Sequence, residues 1–318
     1  MAEATGALIT YNVTSNREDL TDDIYLIDPT ETPIFSRIPD VEASNTKHEW
    51  QTEALAAASD GNAHLEGEDY TGEASIPTVR QNNQCQILKK EPVVSGTQQA
   101  MNHAGINNMM DHQVFKRMEE IKRDIEKSIT ANKGLVAGSS STARVMRGLP
   151  SWLSTNTNRG AGTSTGDIGA DASAETVGAT DATITRAFTE TILKDVEKQC
   201  YDSGGKPDML VTGSANKQVV AGFTGRSQAR QMVGEATIQA NVDVYAGNFF
   251  QLEVVPDRFS RSRDALLLQT DMLATAYLRR IGNEQIGKQG DNLKTQVVGE
   301  LTLEVRAENA HGVCADLS

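Results

Sequence analysis

Few of the residues that usually carry chemistry stand close enough in this sequence to act together. The five histidines, His48, His64, His103, His112 and His311, share no ligand spacing with one another or with the three cysteines, Cys85, Cys200 and Cys314. His103 and His112 come nearest, but a separation of nine does not set them side by side. The cysteines are odd in number and lack a CxxC pair, the pattern of reduced thiols rather than of a disulfide or metal framework. Gly204-Gly205-Lys206-Pro207 resembles the tail of a phosphate loop. However, proline follows the lysine where Ser or Thr is needed, and a helix precedes it, so it reads as a helix stop. Asp60, Glu66, Glu68, Asp69 and Glu73 lack the alternation of a calcium loop and read as a solvated, self-repelling segment. Arg226 and Arg230 have the chemistry to touch phosphate, but in an acidic chain they read as subunit-contact or surface charges. There is no GxxxxGK[ST], strand-linked GxGxxG, HExxH or GxSxG, and nothing pairs two carboxylates as acid and base. No catalytic, cofactor-binding or metal-binding residue is assigned, no cofactor is expected, and the chain is not read as an enzyme.

The elements that would position any site are more legible. Apolar residues at Ile106, Met110, Val114, Met118, Ile121, Ile125 and Ile129 recur every three or four positions, which predicts an amphipathic helix over 106–134. The helix would be roughly 40 Å long at 1.5 Å per residue. Asn107 or Asn108 suits its start, and Lys133 and Gly134 its end. The charged side carries Lys116, Arg117, Glu119, Glu120, Lys122, Arg123, Asp124, Glu126 and Lys127. There Glu119 with Arg123 and Lys122 with Glu126 are spaced to pair. Such a rod has the proportions of a strut.

Around it, 30 Lys and Arg against 43 Asp and Glu give a net charge of -13, which argues against a dedicated nucleic-acid binder. Aromatics make up 5% of the chain. The first residues lack the basic and apolar regions of a signal peptide, and no apolar run approaches the ~20 residues that cross a bilayer, so a soluble cytoplasmic product is expected. Residues 1–41 read as an acidic arm with a helical turn near 20–27 and a fixed turn at Pro29 and Pro33. Strands over 46–53 and 79–91 flank the acidic stretch as one long hairpin, expected to be held by a second subunit. After the strut, 154–181 is rich in Gly, Ala, Ser and Thr and reads as loop, while 148–153 is a short anchored turn. A helix over 183–201, a strand at 209–212 and a helix capped by Ser214 form a small α/β unit. Residues 222–241 read as a projecting loop. Strands are expected at 249–255, 265–280 and 293–307. No internal repeat is found.

Taken in order, these elements resemble the major capsid proteins of tailed bacteriophages with the Hong Kong 97-type fold, and within them the SU-ten-like group. The stretches that carry the resemblance are Asp28-Pro29-Thr30-Glu31-Thr32-Pro33-Ile34-Phe35, the strut, and Lys206-Pro207-Asp208-Met209-Leu210-Val211. Val244-Tyr245-Ala246-Gly247-Asn248-Phe249-Phe250 and Arg279-Arg280-Ile281-Gly282 add to them. The resemblance implies an α+β fold with an N-terminal arm (1–45) and an extended loop (46–95). It also implies a peripheral domain with a spine helix (96–134 and 265–318) and an axial domain (135–264). By the same resemblance the chain self-assembles into hexamers and pentamers of an icosahedral head, in the host bacterial cytoplasm, around double-stranded DNA held without sequence-specific binding. A separate scaffolding protein, a portal and a decoration protein are the implied partners, with no membrane involved. An encapsulin-type nanocompartment shell is the alternative on the same fold, and a soluble hydrolase using Asp and Glu is the alternative from another class.

Overall fold

The fold is described from a computed structural model, which describes residues 14–15, 22–69, 72, 75–163, 178–223 and 244–318. In chain order the strands and helices are β1 (Asp40–Glu42), β2 (Lys47–Thr52), β3 (Val79–Gln84), β4 (Gln86–Lys90), β5 (Val93–Ser95), α1 (Gly96–Ala100) and α2 (Met109–Ile129). There follow α3 (Leu149–Trp152), β6 (Thr157–Asn158), α4 (Glu190–Asp202), β7 (Met209–Thr212), α5 (Ser214–Ala221), β8 (Val244–Ala246) and β9 (Gln251–Pro256). The chain closes with β10 (Ala265–Leu268), β11 (Leu273–Ile286), β12 (Asn292–Val305) and β13 (Gly312–Cys314).

Two sheets carry the body. One runs β1-β11-β12-β4, with β5 also on β12; the other runs β6-β13-β10-β7-β9-β8. The mixture of parallel pairs (β1 with β11, β7 with β9, β6 with β13) and antiparallel ones, with few helices, is the expected α+β class. The second sheet is apolar on both sides, as the period of two requires of a strand covered twice. Met209, Val211, Leu266 and Leu268 join the spine-helix residues Ile121, Ile125 and Ile129 in one core. Leu210, Leu252, Val254 and Leu267 join Leu193, Val196 and Cys200 of α4 in another. Each such side chain contributes about 1.5–3 kcal/mol by leaving water.

The spine helix is present but shorter than its apolar stripe. It covers 21 residues, about 32 Å. Of the two asparagines, Asn108 is the cap, its side chain accepting from the Met110 and Asp111 amides. Ile106 lies outside, bridged to His103 around Gly105 in a left-handed conformation. At the other end the helix stops at Ile129 rather than 134. There the Thr130 hydroxyl donates back to the Glu126 carbonyl at 3.0 Å, and residues beyond turn to meet Gly148.

Other expectations are corrected by long-range contacts. The strand read over 79–91 is two strands: β3 pairs with β2, whereas β4 leaves the hairpin for β12, and the change of partner falls at buried Cys85. The strand read over 265–280 is also divided, because β10 pairs with β7 and β13 in the second sheet while β11 lies in the first. Residues 22–27 have no regular secondary structure and are not helical. The helix read over 183–201 begins only at Glu190, with Ile184 exposed. Ser214 is the first residue of α5 and not its cap, which is Gly213. The loop read at 222–241, with Arg226 and Arg230, lies outside the described residues beyond Phe223.

Candidate assembly surfaces

Two segments leave the body, and each is rooted by specific side chains. In β2 the residues His48, Trp50 and Thr52 turn inward by strand alternation. The Trp50 Nε1 donates to the Val305 carbonyl at 2.9 Å, and its ring packs on Trp152 with centroids 5.6 Å apart. His48 Nε2 lies 3.0 Å from the Glu304 carboxylate. Burial works against that charge, but the bonds from His48 and Arg306 outweigh it and hold Glu304 below the usual carboxylate range. Asn83 of β3 is the buried rivet: its amide donates to the Leu303 and Arg147 carbonyls (2.8 and 3.3 Å), and its oxygen accepts from the Arg147 and Gln84 amides (both 2.9 Å). The hairpin root is thus held within its own chain. Only the distal part stands clear, and it carries Leu55 and Leu65 almost fully exposed, at 95% and 81%.

The arm is rooted by its proline turn. Ile34 is fully buried, and the amides of Ile34 and Phe35 donate to the two carboxylate oxygens of Glu126 at 2.9 and 2.8 Å. Arg37 makes a forked pair with Glu253 of β9 (2.8 and 2.6 Å), and β1 then adds in parallel to β11. Glu126 is thus not part of a solvated charged face and does not pair with Lys122, which pairs with Glu119 instead; Arg117 takes Glu120, and Arg123 lies over the Phe259 ring. Burial pushes Glu126 up to about 7, against the pull of its two backbone bonds and with the nearby Asp257 adding to the rise. Before the turn, Ile24, Tyr25, Leu26 and Ile27 are exposed and form no helix or strand.

Glu126 belongs to a recurring device. A buried Glu197 oxygen on α4 accepts from the Phe249 and Phe250 amides, both at 3.0 Å. Glu308 accepts from Ser154 and Thr155 (2.6 and 2.8 Å), and Asp316 from Gly160 and Ala182 (2.9 and 2.7 Å). In each case a carboxylate holds a distant loop by its main chain through charge-assisted bonds. Sequence reading missed all four. The one available signal is that Glu126 and Glu197 directly follow core residues Ile125 and Val196, at the border of the apolar stripe.

The residues with chemical potential are not brought together. His64 rests on Asn62 and Glu68, and His103 on Met101 and Gln98, both at the surface. His311 is fully buried, its Nδ1 accepting from the Gln269 amide at 3.1 Å, and burial lowers its pKa to about 4. Burial raises all three thiols, Cys85 to about 11 and Cys200 to about 12. Among the described residues no three metal-ligating side chains cluster, and no helix is long and apolar enough to cross a membrane. Gly204 takes a left-handed conformation just past α4, and the Gly205 amide returns to the Cys200 carbonyl at 2.9 Å, which is the helix stop.

Rooted projections with free, apolar ends are the form of a subunit built to touch others. Residues 6–318 match the family described as SU10 major capsid protein. The chain belongs to that family. It is 25% identical over 337 residues to the major capsid protein of Escherichia phage Phieco32, covering 96% of this chain and 95% of that one. Its fold is similar to the capsid structure of the cyanophage P-SCSP1u (TM-score 0.63, 11% identity, 97% and 96% covered). A chain from Mycobacterium phage Adephagia gives TM-score 0.63 at 10% identity, with 97% and 98% covered. An encapsulin from Synechococcus elongatus shares the fold at TM-score 0.56 and 10% identity, with 96% and 93% covered. The chain is accordingly a structural phage capsid protein and not an enzyme, with the Hong Kong 97-type fold.

Proposed function

We propose that this chain assembles into hexamers and pentamers that close into an icosahedral head around double-stranded DNA. The observation that carries the reading is that the family match runs over 6–318 and so includes both projections as well as the body. In this reading the segment 46–95 is the extended loop lying over a neighbouring subunit, and 1–45 is the arm. Residues 96–134 and 265–318 form the peripheral domain with α2 as its spine, and 135–264 the axial domain. The exposed apolar residues of the arm and the hairpin tip are what neighbours cover. Many weak contacts of this kind add through multivalency, and closed symmetry makes them persistent.

The net charge of -13 supports a shell that encloses DNA without gripping it, since an acidic lining releases no counterions from the duplex. A scaffolding protein, a portal and a decoration protein complete the expected set of partners, with assembly in the host cytoplasm. Expression alone and with candidate scaffolds, followed by electron microscopy, tests the reading. Capsomers or closed shells are expected, and their absence under every condition sinks it. A shell reconstruction with a strongly basic lumen would overturn the proposal of an unattractive inner wall.

A further inference from the structure

Within a few residues the arm turn is tied to three elements: to α2 through Glu126, to β9 through Arg37 and Glu253, and to β11 through β1. It is a strap across both sheets. The Glu126 tie differs from the others in resting on a fully buried carboxylate that, among the described residues, faces no counter-charge. The cations of neighbouring elements are committed elsewhere: Lys122 to Glu119, Lys127 to the Phe259 carbonyl at 2.8 Å, Arg123 to the Phe259 ring and Arg37 to Glu253. Arg258 is exposed, as is Glu31 of the arm. The charge that reaches Glu126 is negative: buried Asp257, just past β9, whose carboxylate accepts from the Phe259 and Ser260 amides.

We propose that Glu126 is a proton-operated latch on the arm: ionised, it holds the Ile34 and Phe35 amides with one oxygen each, and on taking up a proton it lets one of them go. The geometry requires this asymmetry. A carboxylate offers two accepting oxygens to two donors, whereas a carboxylic acid turns one of them into a hydroxyl that must itself donate. A pair of charge-assisted bonds becomes one neutral bond. Burial and the Asp257 charge set the proton uptake to about 7, within reach of ordinary solution conditions. The piece loosened is the strap, so the coupling between the two sheets through the arm depends on pH.

Hydrogen–deuterium exchange of the full chain, read on peptides spanning 32–38 and corrected for the intrinsic rate, tests this. Protection of one of the Ile34 and Phe35 amides is expected to fall about tenfold from pH 8.5 to pH 5.5. Glu126→Gln should show the low protection at both values. Asp257→Asn removes the facing charge and should move the wild-type midpoint to lower pH. If the glutamine variant does not fold, the wild-type profile and the Asp257 variant still decide the matter. Constant corrected protection in the wild type, full protection in Glu126→Gln, or an unmoved midpoint in Asp257→Asn each overturns the latch.

Discussion

Asn83 offers the sharpest test of how the hairpin is rooted. Replacing it by alanine removes four hydrogen bonds from a site with no solvent exposure. The Leu303 and Arg147 carbonyls lose a donor, and the Arg147 and Gln84 amides lose an acceptor. Carbonyls tolerate a lost bond better than amides do, so the cost is dominated by the two amides, at about 1–3 kcal/mol each. A loss of about 4 kcal/mol follows, a large share of the 5–15 kcal/mol that typically separates folded from unfolded states. Guanidinium unfolding of the unassembled subunit, followed by the emission of Trp50 and Trp152 at the hairpin root, gives the measurement. Asn83→Asp is the internal control. Its carboxylate still accepts from both amides but faces two carbonyls, so only the protonated acid donates as asparagine does. Its folded pKa should be raised, so its stability should approach wild type at pH 4 and fall as pH rises to 8. An alanine variant within 1 kcal/mol of wild type, or an aspartate variant with the reverse pH trend, would show that the root does not depend on this side chain.

Three further outcomes are expected. Met118→Pro, in the middle of α2, should cost about 3 kcal/mol or more and abolish assembly; normal shells by negative-stain microscopy would refute the strut role. Trp50→Phe keeps most of the apolar contact but loses the donor to Val305. It should cost about 1 kcal/mol and speed proteolytic cleavage within 53–78, and an unchanged cleavage rate counts against that root. His311, depressed to about 4, binds a proton in the unfolded chain first, so its share of stability is present above about 6.5 and is lost as pH falls toward 4. That share is about 3 kcal/mol. His311→Gln should flatten the acid limb of the stability curve, whereas Glu126, raised to about 7, works the other way and favours the folded state as pH falls through the same region.

What could be read in the sequence was what repeats locally. The α2 stripe, the apolar run Met209-Leu210-Val211 of β7 and the Gly204 stop each follow from neighbours within one or two turns of chain. The hairpin strands were visible for the same reason, since His48, Trp50 and Thr52 alternate. What stayed hidden depends on partners far away in sequence. Glu126 looks like any solvated helix charge until residues 34 and 35 fold onto it, and Asn83 looks like a surface amide until β12 arrives. The split at Cys85 and the divergence of β10 from β11 are choices between two sheets, and apolar periodicity is the same whichever sheet a strand joins.

Both sheets are closed by the last part of the chain. β1 waits for β11, with Val41 opposite Ala276, and β6 waits for β13, with Thr157 opposite Val313. The spine-helix core likewise takes in Leu301, Leu303 and Val305 from β12. Contacts of such sequence separation make for slow folding, because loop-closure entropy is lost before the pairing rewards it. During synthesis neither sheet can be completed until β10–β13 have left the ribosome. Earlier segments such as α2 must stay soluble meanwhile, and its dense surface charge suits that interval. Subunits would therefore become competent to meet one another only once β10–β13 are in place, rather than piecemeal.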